Sequence, residues 1–254
     1  MEKHLKTVLL AYGDNPVGTL FLSACIRNDV PVAAVITEAG PNTSPWKRFK
    51  KKIAKDGLAG AFIRVAQVFL LAMRKKRIGD MAGYRGIPVH TVERFNSTAC
   101  EVLIDELSPD ILLIASAPIL EERIFSKASR GCLNVHPGWL PAYRGIGANA
   151  YALYNGDKPG VTVHFIDKSI DKGSIIKREH VAVKKRDTIA KINDRAVKRG
   201  ADLVCGVIKT MSSGPLTMPE IKEGAGPVYR AMPYAMAKRV NRTLKQAGGQ
   251  YHGI

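Results

Sequence analysis

Asn134 and His136 stand two residues apart at the end of a short apolar run, GCLNVH, over 131–136. In an extended strand alternate side chains project to one face, so an amide and an imidazole emerge together there. A second run, 160–166, closes on Asp167-Lys168-Ser169-Ile170-Asp171-Lys172-Gly173, which offers two carboxylates. An imidazole within reach of a carboxylate is a set for moving a proton. The same residue types also occur as satisfied structural histidines and capping aspartates. Spacing alone therefore leaves both readings, and both aspartates, open.

The elements that must position these groups alternate. Strands are expected at 7–11, 31–37, 87–92, 111–115, 131–136 and 160–166, and helices at 17–28, 97–107, 121–128, 148–154 and 188–211. Strands alternating with helices predict an α/β chain, a mostly parallel sheet flanked by helices. In such sheets ligands gather beyond the carboxyl ends of the strands. The turn at Gly13-Asp14 is therefore a candidate ligand loop, although it is neither GxGxxG nor a P-loop, and a plain strand-to-helix turn is the alternative. Arg144 and Asn149 are candidate substrate contacts, with surface and helix-start roles as their alternatives, and His164 reads as a structural strand residue. Leu140-Pro141 is a candidate for a cis bond in a tight turn.

The chain has 254 residues and a net charge of +17. That charge points to an anionic partner: a phosphorylated substrate, nucleic acid or an acidic membrane surface. Over half of it falls in 46–80, which carries a net +9 and holds the apolar stretch 57–73 between basic ends. Charges inside the stretch count against a membrane span. A basic-flanked apolar helix fits peripheral attachment to an anionic membrane face; the alternative is a helix packed on its own domain or on a second subunit of a homodimer. The four cysteines are dispersed without a CxxC pair, which argues against zinc or disulfide frameworks and for a reducing compartment. The opening residues read as a buried strand and loop rather than a leader, so a cytoplasmic protein is expected. Residues 213–254 are Pro/Gly-punctuated and then basic, and are expected to form a hairpin or arm on a catalytic domain of 1–212.

The segment NVHPGWLPAYRG at 134–145, followed by GVTVHFID and SIDKGSII, resembles the formyltransferase family that uses 10-formyltetrahydrofolate. Glycinamide ribonucleotide transformylase, methionyl-tRNA formyltransferase and the sugar N-formyltransferases belong to it. The resemblance is close over 85–210 and looser over 5–40. It implies a Rossmann-like fold and a catalytic trio of Asn134, His136 and Asp171. Asp171 is selected over Asp167 because it precedes Lys172-Gly173. It further implies that Ser116, Pro118, Ile119 and Leu120 line the folate, with Ile166, Asp167 and Ile170 on the other side of the pterin. Asn134 and a protonated His136 would stabilise the formyl oxyanion, Asp171 would favour the imidazolium, and no metal is called for. The chain departs from the family pattern at Gly138, where Ser is frequent, and at Trp139, where Leu is frequent. It also lacks a GxGxN-like phosphate cradle, and 46–80 matches no part of the family core. At this length neither a C-terminal barrel nor an extra N-terminal domain is expected. The first expectation for the acceptor is an anionic small-molecule amine such as an amino-sugar nucleotide, followed by glycinamide ribonucleotide. Methionyl-tRNA comes third, because a basic surface without clustered aromatics is no RNA-binding motif. A membrane-associated, non-catalytic relative is the reading from a different class.

Overall fold

A computed structural model describes residues 5–12, 15–38 and 78–246. The Gly13-Asp14 ligand loop and residues 46–77 of the basic segment lie outside the described residues. In chain order the elements are β1 (Thr7–Tyr12), α1 (Pro16–Arg27), β2 (Val32–Glu38), α2 (Ile78–Tyr84), β3 (Val89–Val92), α3 (Thr98–Leu107), β4 (Ile111–Ser116) and α4 (Glu122–Phe125). There follow β5 (Cys132–His136), β6 (Arg144–Gly145), α5 (Ala148–Tyr154), β7 (Gly160–Phe165), β8 (Ile175–His180), α6 (Ile189–Ser213), β9 (Val228–Tyr229) and α7 (Tyr234–Gln246).

Seven strands form one sheet in the order β3-β2-β1-β4-β5-β7-β8. It is parallel from β3 to β5. β7 runs antiparallel to both of its neighbours, β5 and β8. β4 shows why an unbroken apolar run makes a central strand. Ile111 and Leu113 enter the core on one face with α1 and α6, and Leu112 and Ile114 enter the core on the other with α3. Each such fully buried side chain contributes roughly 1.5–3 kcal/mol.

Polar residues fix where the helices begin. Asn15 caps α1 by accepting from the Val17 N–H at 2.9 Å, with Pro16 in the first turn. Ser97 caps α3 and Thr188 caps α6 in the same way. α6 buries Ile192, Ala196, Gly200, Leu203 and Val207, a helical stripe. A Cβ on Gly200 would lie 2.3 Å from Val135 of β5, so its absence lets α6 sit directly beneath the strand that carries Asn134 and His136.

The elements differ from the sequence reading in detail. β8 went unread, because its apolar start (Ile175, Ile176) turns into charged residues on a sheet edge. The helix expected at 121–128 is the single turn α4. Of the hairpin or arm expected for the tail, the described residues take the arm: β9 pairs in parallel with β6. α7 then returns Val240 and Leu244 to the main core. No described helix is long and apolar enough to cross a membrane.

Candidate active site

The register of β5 against β7 sets Asn134 opposite His164 and His136 opposite Thr162. Asn134 Nδ2 lies 3.2 Å from His164 Nε2. His136 Nε2 lies 2.8 Å from the Tyr143 carbonyl, and His164 Nδ1 lies 2.8 Å from the Phe165 carbonyl. A carbonyl only accepts, so those nitrogens carry the protons and the tautomers follow. The remaining lone pairs, on His136 Nδ1 and His164 Nε2, turn toward Asp171. Asp171 Oδ2 stands 3.5 Å from the first, and its Oδ1 stands 3.8 Å from the second. Oδ2 also accepts from the Gly145 N–H at 2.7 Å. The backbone at Asp171 is left-handed, with φ 51°, a conformation that Asp tolerates better than most residues.

These groups open onto a cleft of about 730 Å³ beyond the ends of β4 and β5. Pro118, Ile119, Leu120, Ile166, Asp167 and Ile170 line it. A second wall comes from Gly145 and Ile146 beside Val228, Tyr229 and Arg230.

A family model described as formyl transferase matches residues 5–208. The chain belongs to the formyl transferase family. A methionyl-tRNA formyltransferase of Alkaliphilus oremlandii is 31% identical over 147 residues, which are 57% of this chain and 47% of that protein. This formyl transferase chain thus spans less than half the length of that relative. Among solved structures, glycinamide ribonucleotide transformylase 1 of Symbiobacterium toebii aligns with a TM-score of 0.60 at 19% identity, over 85% of this chain and 91% of its own. A sugar N-formyltransferase of Shewanella sp FDAARGOS_354 aligns with a TM-score of 0.59 at 14% identity, over 98% and 91%.

Several of the residues expected in this formyl transferase site do other work. His164, read as structural, stands inside the constellation. Strand alternation carried the signal: Thr162 and His164 share a face, just as Asn134 and His136 do. Arg144, a candidate substrate contact, is buried and spends its guanidinium on backbone. Its Nε and Nη2 donate to the Ile170 carbonyl at 3.0 and 2.6 Å, and its Nη1 donates to that of Gly226 at 3.3 Å. It therefore anchors the Asp171 loop. Asn149 is 0% exposed. It accepts from the Gly160 N–H at 2.8 Å and donates to Asn193 at 3.3 Å, which removes it from any substrate. Ser116 is not part of the cleft lining; its hydroxyl accepts from Asn15 Nδ2 at 2.7 Å, tying the α1 cap to β4. Asp167 accepts from the Ser169 N–H at 2.8 Å, so one carboxylate shapes the loop while the other faces the imidazoles.

Gly138, a departure from the family pattern, has a physical reason. A Cβ there would lie 2.5 Å from His136 Nε2 and from the Ala148 methyl. Trp139 stacks on His180 with centroids 3.8 Å apart, and the Arg178 guanidinium sits 4.1 Å from its ring centroid. The Leu140–Pro141 peptide is cis.

In the free protein burial works against an imidazolium at His136. Burial pulls the pKa of His136 below its ordinary 6.5, and the nearby Asp171 only partly offsets this. His164 is lowered by burial as well, and further by His136. Both rings are thus neutral near neutral pH. Because the folded pKa values are depressed, the unfolded chain binds protons first as pH falls. Stability is complete above the unfolded value of about 6.5 and declines as pH drops toward the folded values. The thermal midpoint is accordingly expected to fall between about pH 7 and pH 5. A variant with both rings replaced (His136→Asn, His164→Asn) should show a shallower decline by scanning fluorimetry. Equal slopes would show that the acid sensitivity lies elsewhere.

Proposed function

We propose that the chain moves a formyl group from 10-formyltetrahydrofolate to the amine of a small phosphorylated or nucleotide-linked acceptor, such as an amino sugar. The observation that carries this reading is the meeting of the Asn134 amide with the His136–Asp171 pair at a cleft of this size, in the fold of the family. Residues 1–212 form the catalytic body in this reading, and 213–254 an extension that lends the cleft a wall.

The cleft suits a flat heteroaromatic donor. Pro118, Leu120 and Ile166 give it apolar sides. Ile119, 72% exposed at its mouth, is an apolar side chain that a bound ring system covers. When bound there, the folate supplies the formyl carbon on N10. The chain's own groups do the rest. The Asn134 amide has two hydrogens. One serves His164, and the second is left to meet negative charge developing on the formyl oxygen. The acceptor nitrogen must lose a proton as it attacks. With its Nε2–H held on Tyr143, His136 presents Nδ1 as its basic nitrogen, 3.5 Å from Asp171 Oδ2. A proton arriving between these two acceptors relieves their repulsion, so the pair is a natural sink for it, and the same proton is available to N10 as the bond from N10 to the formyl carbon breaks and tetrahydrofolate leaves.

An amino-sugar acceptor is supported by the net +17 charge of the chain and by a fold shared with a sugar N-formyltransferase over nearly its whole length. The likeness to methionyl-tRNA formyltransferase sequences favours a second reading, in which the amine is that of an aminoacyl-tRNA. A panel of UDP- and dTDP-linked amino sugars, glycinamide ribonucleotide and methionyl-tRNA, each supplied with 10-formyltetrahydrofolate, separates the readings by release of tetrahydrofolate. Turnover is expected with a nucleotide-linked amino sugar. Turnover with methionyl-tRNA alone establishes the second reading, and none with any amine removes both.

A further inference from the structure

We propose that Arg230, on the C-terminal arm, recognises the phosphate of the acceptor. This rests on the formyl-transfer reading for the word acceptor, but the anion site itself is argued from the cleft. The arm runs past the trio as β9 and lies beyond the residues matched by the family model, which end at 208.

Its position is fixed from several sides. Arg144 and Gly145 pair with Val228 and Tyr229. The Ile146 N–H donates to the Tyr229 carbonyl at 2.9 Å, and the Gly226 N–H to that of Pro141 at 2.9 Å. The Tyr229 ring stacks on Tyr151, centroids 4.2 Å apart, and on Tyr143 at 5.7 Å. Tyr143 is in turn held through its hydroxyl by Asp157. Gly145 admits this approach, because a Cβ there would stand 2.3 Å from the Tyr229 carbonyl oxygen. Arg230 thus leaves a backbone that has little freedom and enters the cleft beside Gly145 and Ile146.

The charges of the cleft separate by use. Asp171 is bonded to Gly145, and Asp167 to Ser169. Lys168 pairs with Glu122 at 3.0 Å. Arg230 is exposed and lines the same cleft, and among the described residues no ion pair involves it. A guanidinium presented by a rigid arm, with its donors unspent, matches the forked oxygens of a phosphate. Beside it Tyr229 offers an aromatic edge to whatever the phosphate carries.

Calorimetric titration of the full chain with UDP, dTDP and inorganic pyrophosphate tests this, with 5-formyltetrahydrofolate as the separate donor-side probe. Arg230→Gln is expected to weaken the phosphate probes on the order of tenfold, the scale of a charge-assisted hydrogen bond. Arg230→Lys should recover part of that loss, Lys245→Gln on the outer surface of α7 should lose nothing, and folate affinity should persist in all of them. The proposal is overturned if the parent chain binds none of the phosphate probes, or binds them equally without Arg230. It is also overturned if Arg230→Gln weakens the folate instead, since the cation then serves the carboxylate tail of the donor. A parent chain that binds phosphates through Arg230 but no folate would remove the formyl-transfer reading and leave the anion site standing.

Discussion

Replacement of Asn134 by Ala is expected to lower formyl transfer by about 10²–10³-fold, the usual cost of one preorganised oxyanion donor. The second hydrogen of this amide is the one that the fold leaves unspent, and an alanine removes it together with the partner of His164. Asp171→Asn is expected to cost a comparable factor for a different reason. An asparagine oxygen can still accept from the Gly145 N–H, so the loop keeps its anchor while the charge that draws the proton toward His136 is gone. His136→Ala removes the other half of that sink. Because the three act on one step, the double variant Asn134→Ala/Asp171→Asn should lose less than the product of the single losses. Tetrahydrofolate release with a productive acceptor measures all four variants, and circular dichroism confirms that they fold. Turnover near the parent's in all three single variants would end the proposed mechanism.

Gly173→Ala should disable the site without touching any of its reacting groups. A Cβ at this position would fall 1.7 Å from the Phe165 carbonyl oxygen and 3.4 Å from the Asp167 nitrogen. The first obstacle is backbone at the end of β7, which cannot swing aside as a side chain would. The loop that carries Asp171 must move instead, and Asp171 is placed only two residues away. A displacement of roughly 1 Å at a reacting group can cost about 10² in rate. The stability penalty for such overpacking is about 1–3 kcal/mol, within what a folded domain survives. The expected signature is therefore a folded protein with a modestly lowered thermal midpoint and a collapsed turnover. Full activity in Gly173→Ala would mean that the Asp171 loop is not the rigid element described above.

Much of the body was legible because burial imposes simple patterns. β4 is apolar at every interior position since both of its faces meet core. The helix expected at 148–154 is α5 to the residue, and the one expected at 188–211 from its apolar spacing is α6 over 189–213, with Thr188 serving as its cap. β6 and β9 are two residues long and carry no period of their own, so their pairing exists only in three dimensions. The motif singled out Asn134, His136 and Asp171, while the work of Asp167 could not be seen in it. That work depends on which carboxylate a loop turns onto its own backbone. Arg144 stood open between a substrate contact and a surface role, because a motif shows a charge without its partners. Its partners, the carbonyls of Ile170 and Gly226, are brought beside it by folding alone. The downward pull on the His136 pKa has a related origin. A neighbouring carboxylate can be seen in a motif, whereas the depth of burial that outweighs it is a property of the packed molecule.

The parallel pairing of β6 with β9 also sets an order in time. A ribosome delivers the chain from its amino end, and folding units close as they emerge. The sheet and every member of the trio are synthesised before Val228 and Tyr229. A nascent chain that ends after α6 therefore holds its reacting groups in a trough with one side missing, and the Tyr143 and Tyr151 rings still wait for the aromatic partner that covers them. In the proposed reading the cleft is complete only once β9 has docked on β6, and a ribosomal stall before Val228 leaves an assembled sheet with one cleft wall still missing.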